Sequence, residues 1–237
     1  TMDVTALADG EPGSSVLYSE YLVTNTGKEN LKGNFYLALR PFQVNPPWQD
    51  LNFYGGTAKL ASVEYKDGFA TVNGATAVIP LGIVGKFGAA SFDDGDISGY
   101  MAGNILPAAQ NVTDRRGLAS GAYAFELDLK PGEMARFTFA VPQYAGIAPE
   151  PILKKSAKFD LFSEAYAKAL NFWDKKLSHI EWTVPKELQT VFNSVKSNVG
   201  YVLINRDAVG IQPAPARMNV PGSATAPSPQ RRFLKWD

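Results

Sequence analysis

The chain has 237 residues, 23 basic against 23 acidic side chains, one histidine and no cysteine. That length buries a sizeable core without staples, the missing thiols exclude disulfides, thiolate zinc sites and cysteine nucleophiles, and a single His179 excludes multi-histidine metal centres. Charge balance removes the electrostatic case for nucleic acid or an anionic membrane surface, and no apolar run reaches the ~20 residues of a membrane helix, so neither partner is expected.

The first residues, Thr1-Met2-Asp3-Val4-Thr5, lack the basic region and apolar core of a signal peptide, which fits a cytoplasmic protein, a processed export product or a trimmed fragment alike. Residues 16–24 read as the first clear strand, with Leu17, Tyr21 and Val23 on one face and Asn25-Thr26-Gly27 closing it. Residues 31–39 alternate through Leu31, Phe35, Leu37 and Leu39, and the short polar connection predicts an antiparallel pair with the preceding strand. Pro41 breaks that alternation. Residues 40–56 then carry Phe42, Trp48, Phe53 and Tyr54 on a segment stiffened by Pro46 and Pro47. Two readings are open for this loop. It seals a hydrophobic core, or it forms a recognition surface in which Trp48 and Tyr54 stack on a sugar while Arg40, Gln43, Asn45, Gln49 and Asn52 bind its hydroxyls.

Short strands follow at residues 59–65, 70–72 and 75–81, punctuated by Asp67-Gly68 and Asn73-Gly74, dipeptides that favour tight primed turns. After a strand at 87–92, Asp93-Asp94-Gly95-Asp96 brings three carboxylates together, but Gly95 stands where a calcium loop places its third oxygen ligand, so a solvated turn is expected. Residues 100–118 are poorly patterned and read as irregular, with a glycosylation sequon at Asn111-Val112-Thr113 that matters only in a host that glycosylates exported proteins. Residues 123–129 and 135–141 alternate again, directing Phe125, Leu127 and Leu129, then Phe137, Phe139 and Val141, toward a common interior. The expected fold is mainly β, an antiparallel two-sheet β-sandwich with little helix before residue 141.

Residues 142–151 read as a connection, beyond which the apolar period lengthens to three and four. Phe162, Tyr166, Ala169, Leu170, Trp173 and Leu177 define a helix over about 158–177. A second helix is expected over 185–204, capped by Thr183, with the stripe Leu188, Val191, Phe192, Val195, Val199, Val202 and Leu203. These stripes read as core: amphipathic helices must pack on the sandwich, on each other or on another domain, and docking on the sandwich through Trp173 and Phe192 competes with self-association. Residues 208–237 are proline-rich and expected to be extended or disordered rather than helical. The domain reading is therefore a β-sandwich at 1–150, a helical appendage at 151–207 and a tail at 208–237.

No cofactor motif emerges. Gly85-Lys86 lacks the spacing of a phosphate loop because Pro80 and Phe87 occupy its defining positions, and His179 reads as a helix-end or surface residue. Asp94 with Asp96, or Glu126 with Asp128, can share a strand face, but glycosidic chemistry needs two carboxyls across a cleft. The segments Asn25-Thr26-Gly27, 35–49, 87–93, 118–122 and Tyr201-Val202-Leu203-Ile204-Asn205-Arg206-Asp207 resemble the supersandwich-like β-module and first toroid helices of bacterial six-hairpin glycosidase-like proteins. The resemblance covers most of the chain. It implies carbohydrate processing, neutral sugars as ligands, and a helical catalytic domain as the natural neighbour of the sandwich. Two departures bear on activity: the chain offers two helices where a toroid needs many, and Ile211-Gln212-Pro213-Ala214-Pro215 replaces the expected Gly-Ser-Arg continuation. No catalytic carboxylate carries over, so the chain is expected to be a non-catalytic accessory domain, with a scaffold docking a helical domain or another subunit as the alternative and an independently active glycoside hydrolase as a third.

Overall fold

The computed structural model describes residues 1–11, 13–45, 56–144, 146–178 and 183–204. Its elements run β1 (Met2–Asp9), β2 (Val16–Thr24), β3 (Leu31–Leu39), β4 (Phe42–Asn45), β5 (Gly56–Ala58), β6 (Ser62–Lys66), β7 (Phe69–Val72), β8 (Thr76–Pro80) and β9 (Lys86–Ala90). Then come α1 (Ile97–Ala102), β10 (Asn111–Thr113), β11 (Ser120–Leu129), β12 (Met134–Pro142), α2 (Pro149–Ser156), α3 (Leu161–Leu177), a 3-10 turn at Lys186–Leu188 and α4 (Gln189–Ile204). The chain is mainly β. A seven-stranded sheet in the order β1-β2-β12-β8-β7-β6-β10 faces a three-stranded sheet β3-β11-β9, and every ladder in both is antiparallel.

The expected hairpin of β2 with β3 does not form. β2 pairs with β1 and β12, whereas β3 pairs with β11 in the other sheet. The short connection crosses between layers instead of turning within one. Buried Asn25 makes that crossing: its side-chain nitrogen donates to Glu29 O and Leu129 O, both at 2.8 Å, and its oxygen accepts from Gly27 N at 3.0 Å. The crossing from β11 to β12 is tied to the same residue, because Gly132 N donates to Asn25 O at 2.8 Å and Asn25 N donates to Glu133 O at 3.0 Å. The two primed turns do form: Asp67 and Gly68 have φ of 53° and 92°, Asn73 and Gly74 have 54° and 63°.

Between the sheets lies an aromatic core. Phe35 stacks on Phe137 with centroids 4.4 Å apart, Phe125 meets Phe137 at 5.3 Å, and Tyr65, Phe87 and Tyr123 extend the cluster toward β6 and β9. The outer face of the large sheet is buried as well. Val16, Phe69, Ala77, Ile79, Leu81 and Ala140 form a second cluster, against which Ile152 and Leu153 of α2 and Leu161 of α3 pack. This is why β8 is buried at four consecutive positions rather than at alternate ones.

On the outer face of the small sheet, β9 and β11 carry the small residues Gly88, Ala90, Ala122 and Ala124, which let the segment after β9 lie close. A Cβ on Gly88 would stand 2.3 Å from Pro107 O, so only glycine fits there. The stretch expected to be irregular supplies that cover: α1 buries Ile97, and β10 adds an edge to the large sheet by pairing with β6.

The chain divides into two compact units, residues 1–46 with 55–169, and 47–54 with 170–237. In the first, α3 starts at Leu161 because Asp160 accepts from Ser163 N at 3.0 Å, and Leu161, Phe162 and Ala165 are buried. In the second, Gly200 of α4 faces Trp173 and Leu177 of α3, and a Cβ added there would reach them at ordinary contact distance. The 3-10 turn preceding α4 has Pro185 at its cap position, so Thr183 does not cap it. The stripes are only partly core. Tyr166, Leu170, Leu188, Val191 and Val195 are exposed, since periodicity marks the side of a helix that favours burial without supplying the partner. No helix among the described residues is long and apolar enough to cross a membrane.

Candidate functional site

The loop singled out in the sequence begins as an arm. Arg40 and Pro41 follow the last residue of β3, and β4 then pairs with β5 as a separate two-stranded ribbon, with Phe42 opposite Ala58, Gln43 opposite Thr57, and a register shift before Asn45 meets Gly56. Neither main sheet hydrogen-bonds to it in the strand order. Phe42 is 68% exposed, so this ring does not seal a core. Gln43 and Asn45 lie in β4, whereas Trp48, Gln49, Asn52 and Tyr54 lie outside the described residues.

Arg40 stands at the base of the arm, where its Nη2 lies 3.6 Å from Asp96 Oδ2, both side chains about half exposed. Asp96 also caps α1: it accepts from the Ser98 hydroxyl and from Ser98 N, and these bonds, followed in effect by the charge of Arg40, hold its carboxyl below the usual aspartate range. Farther along β3, Asn34 Nδ2 and the Tyr36 hydroxyl both donate to Asn104 Oδ1, at 2.8 and 3.0 Å. Asn34, Tyr36 and Arg40 share one face because residues two apart on a strand point the same way, opposite to Phe35 in the core. The result is a partly exposed row of amide, phenol, guanidinium and carboxylate leading to the arm. Asn34, Tyr36 and Asn104 escaped the sequence reading, and Asp96 entered it only as part of the acidic turn. Their signal lay in the polar phase of the β3 alternation, but Asp96 and Asn104 join them only through α1.

The acidic turn is occupied by the protein's own donors. Asp93 pairs with Arg116 Nη1 at 2.7 Å, and the Arg116 guanidinium lies 4.9 Å from the centroid of Phe92. Asp94 accepts from the Ser91 hydroxyl at 2.6 Å. Behind them Asp114 accepts from Phe92 N, Arg116 N and Leu118 N, and the first of these is the main cause of its lowered pKa. No cluster of three metal-ligating side chains occurs among the described residues. Glu126 and Asp128 face cross-strand lysines, Lys86 at 3.0 Å and Lys32 at 3.3 Å, in exposed pairs. A separate groove of about 440 Å³ is lined mostly by apolar residues including Phe69, Ala77, Pro142 and Ile147, with Glu150 as its one carboxylate.

The fold and this surface define a β-sandwich module with a polar row on its small sheet and a separate two-stranded ribbon that bears an exposed Phe42. No family model and no curated protein matches the sequence.

Proposed function

We propose that this chain is a non-catalytic accessory module of a carbohydrate-active protein and that it offers the 40–56 arm, with the adjoining β3 row, to a neutral sugar. The observation that carries this reading is Phe42, exposed on a ribbon that belongs to neither core sheet. An aromatic ring covers the apolar face of a pyranose, and the amides, Tyr36 and Arg40 along the row suit its hydroxyl edge. The six-hairpin resemblance supports the same class of ligand.

Affinity electrophoresis and calorimetry against a panel of neutral polysaccharides test this reading. Binding is expected to be weak, to be lost in Trp48→Ala without a change in thermal midpoint, and to be accompanied by hydrolysis no faster than the enzyme-free rate. A panel that gives no binding, together with a Trp48→Ala chain that is strongly destabilised, returns the loop to a sealing role. Reproducible turnover that disappears with one of the chain's own carboxylates makes it an enzyme.

A scaffold that docks a helical domain is the second reading, favoured by the exposed Tyr166, Leu170, Phe172, Leu188, Val191 and Val195.

A further inference from the structure

The seven-stranded sheet ends on β1, and the open side of that strand offers an uninterrupted row of hydrogen-bonding groups. Thr24 N donates to Thr1 O at 3.0 Å, and the β1–β2 register continues without a shift from Met2 opposite Val23 to Asp9 opposite Val16. The odd-numbered residues are therefore those whose backbone groups bond to β2. Alternation turns the N–H and C=O of Met2, Val4, Ala6 and Ala8 outward. No other strand among the described residues pairs with this edge. Sheet edges are ordinarily protected by charged side chains, lysine above all, by proline, by a bulge or by brevity; the eight-residue β1 has no lysine, proline or bulge, and its two charges, Asp3 and Asp9, stand near its ends. Met2 and Val4 are 56% and 54% exposed on the same face of the strand.

We propose that β1 pairs with β1 of a second copy of this chain, antiparallel about a twofold axis at Thr5, joining the two large sheets into one. A twofold axis perpendicular to a sheet keeps each face on its own side, so opposed residues must share parity. Two registers satisfy this with long overlap. One centred on Ala6 sets Asp3 against Asp9, two like charges directly opposed. The other, centred on Thr5, sets Met2 against Ala8, Val4 against Ala6 and Asp3 against Leu7, and leaves Asp9 to its own Lys168 at 2.7 Å. Charge therefore selects the Thr5 register, in which the two Thr5 residues form a non-hydrogen-bonded pair across the axis.

Sedimentation velocity of the full chain over a concentration series is expected to show a monomer passing to a dimer. Val4→Pro removes an outward donor and leaves the β2 ladder untouched, so it should weaken the dimer about tenfold or more while circular dichroism stays unchanged. Thr5→Cys places a single thiol beside the axis of a chain that otherwise has none, at the ~4.5 Å Cα separation of such pairs, and mild oxidation should convert it to a covalent dimer. A wild-type chain that stays monomeric throughout overturns the proposal, as does a dimer that survives Val4→Pro. Should Val4→Pro unfold the chain, the cross-link decides: its absence in a folded Thr5→Cys chain overturns the pairing.

Discussion

Two buried polar side chains hold this sandwich in its particular topology. Tyr123 is wholly enclosed, and its hydroxyl donates to Val78 O at 2.7 Å while accepting from Ala70 N at 2.5 Å, bridging the facing residues of β7 and β8 from the opposite sheet. Burial is the largest influence on this phenol and pushes its pKa far above the ordinary tyrosine range. Asn25 does comparable work where both crossings between the sheets meet. Replacing Asn25 with Ala leaves the buried Leu129 carbonyl without its side-chain donor, and the expected loss is about 2 to 3 kcal/mol in urea denaturation. A loss below about 0.5 kcal/mol would mean that water or a backbone shift replaces the amide.

At the scale of elements, the junction of α3 with the large sheet is an ion-pair clamp. Arg136 on β12 bonds to Glu20 on β2 and, through both terminal nitrogens, to Asp160 at the start of α3, and its guanidinium lies 5.6 Å from the centroid of Phe162. Hydrogen bonding from Arg136 is the main reason that the Asp160 carboxyl is held down to about 2. A depressed carboxylate pKa stabilises the fold above the unfolded value near 3.9, and that contribution fades as pH falls toward about 2. Asp160 is 46% exposed, so solvent screening limits the contribution to about 0.5 to 1 kcal/mol. Urea midpoints of the wild type and Asp160→Asn should differ near neutral pH and converge as pH drops from about 4 to 2, because asparagine keeps a capping oxygen but carries no charge. A gap that stays constant across that window would assign the effect to geometry.

For the whole molecule, the division into two units separates a doubly covered sandwich from a smaller helical assembly. Burial is extensive in the first unit, where one sheet carries cores on both faces. In the second, Trp173 is half-buried, packs edge-on to Phe172 at 5.1 Å and faces Gly200 of α4. An enclosed tryptophan would cost about 3 to 5 kcal/mol on truncation to alanine, and partial burial reduces the expectation for Trp173→Ala to about 1 to 2 kcal/mol. Hydrogen exchange should place the loss of protection in the C-terminal half of α3 and in α4, with the amides of β11 and β12 unchanged. Equal deprotection of those strands would show that the two units unfold together.

Local chemistry in the sequence determined much of the secondary structure. Alternation located β2, β3, β11 and β12, and Asp67-Gly68 and Asn73-Gly74 specified the turns from β6 to β7 and from β7 to β8, because both positions of a primed turn require positive φ. β1 was missed because Met2, Val4, Ala6 and Ala8 interleave with too little polar contrast, and α1 because six residues hold less than two helical turns of pattern. Strand partners were not legible. Whether a short connection turns within a sheet or crosses to the next depends on where its buried groups find hydrogen-bond partners, and for Asn25 that partner is Leu129, 104 residues away. The candidate site divides in the same way. Arg40 and the arm announced themselves through proline and aromatic composition, whereas the row that runs from Asn34 to Asp96 exists only because the segment that carries α1 and Pro107 folds back onto the small sheet, where Gly88 permits the close approach of Pro107.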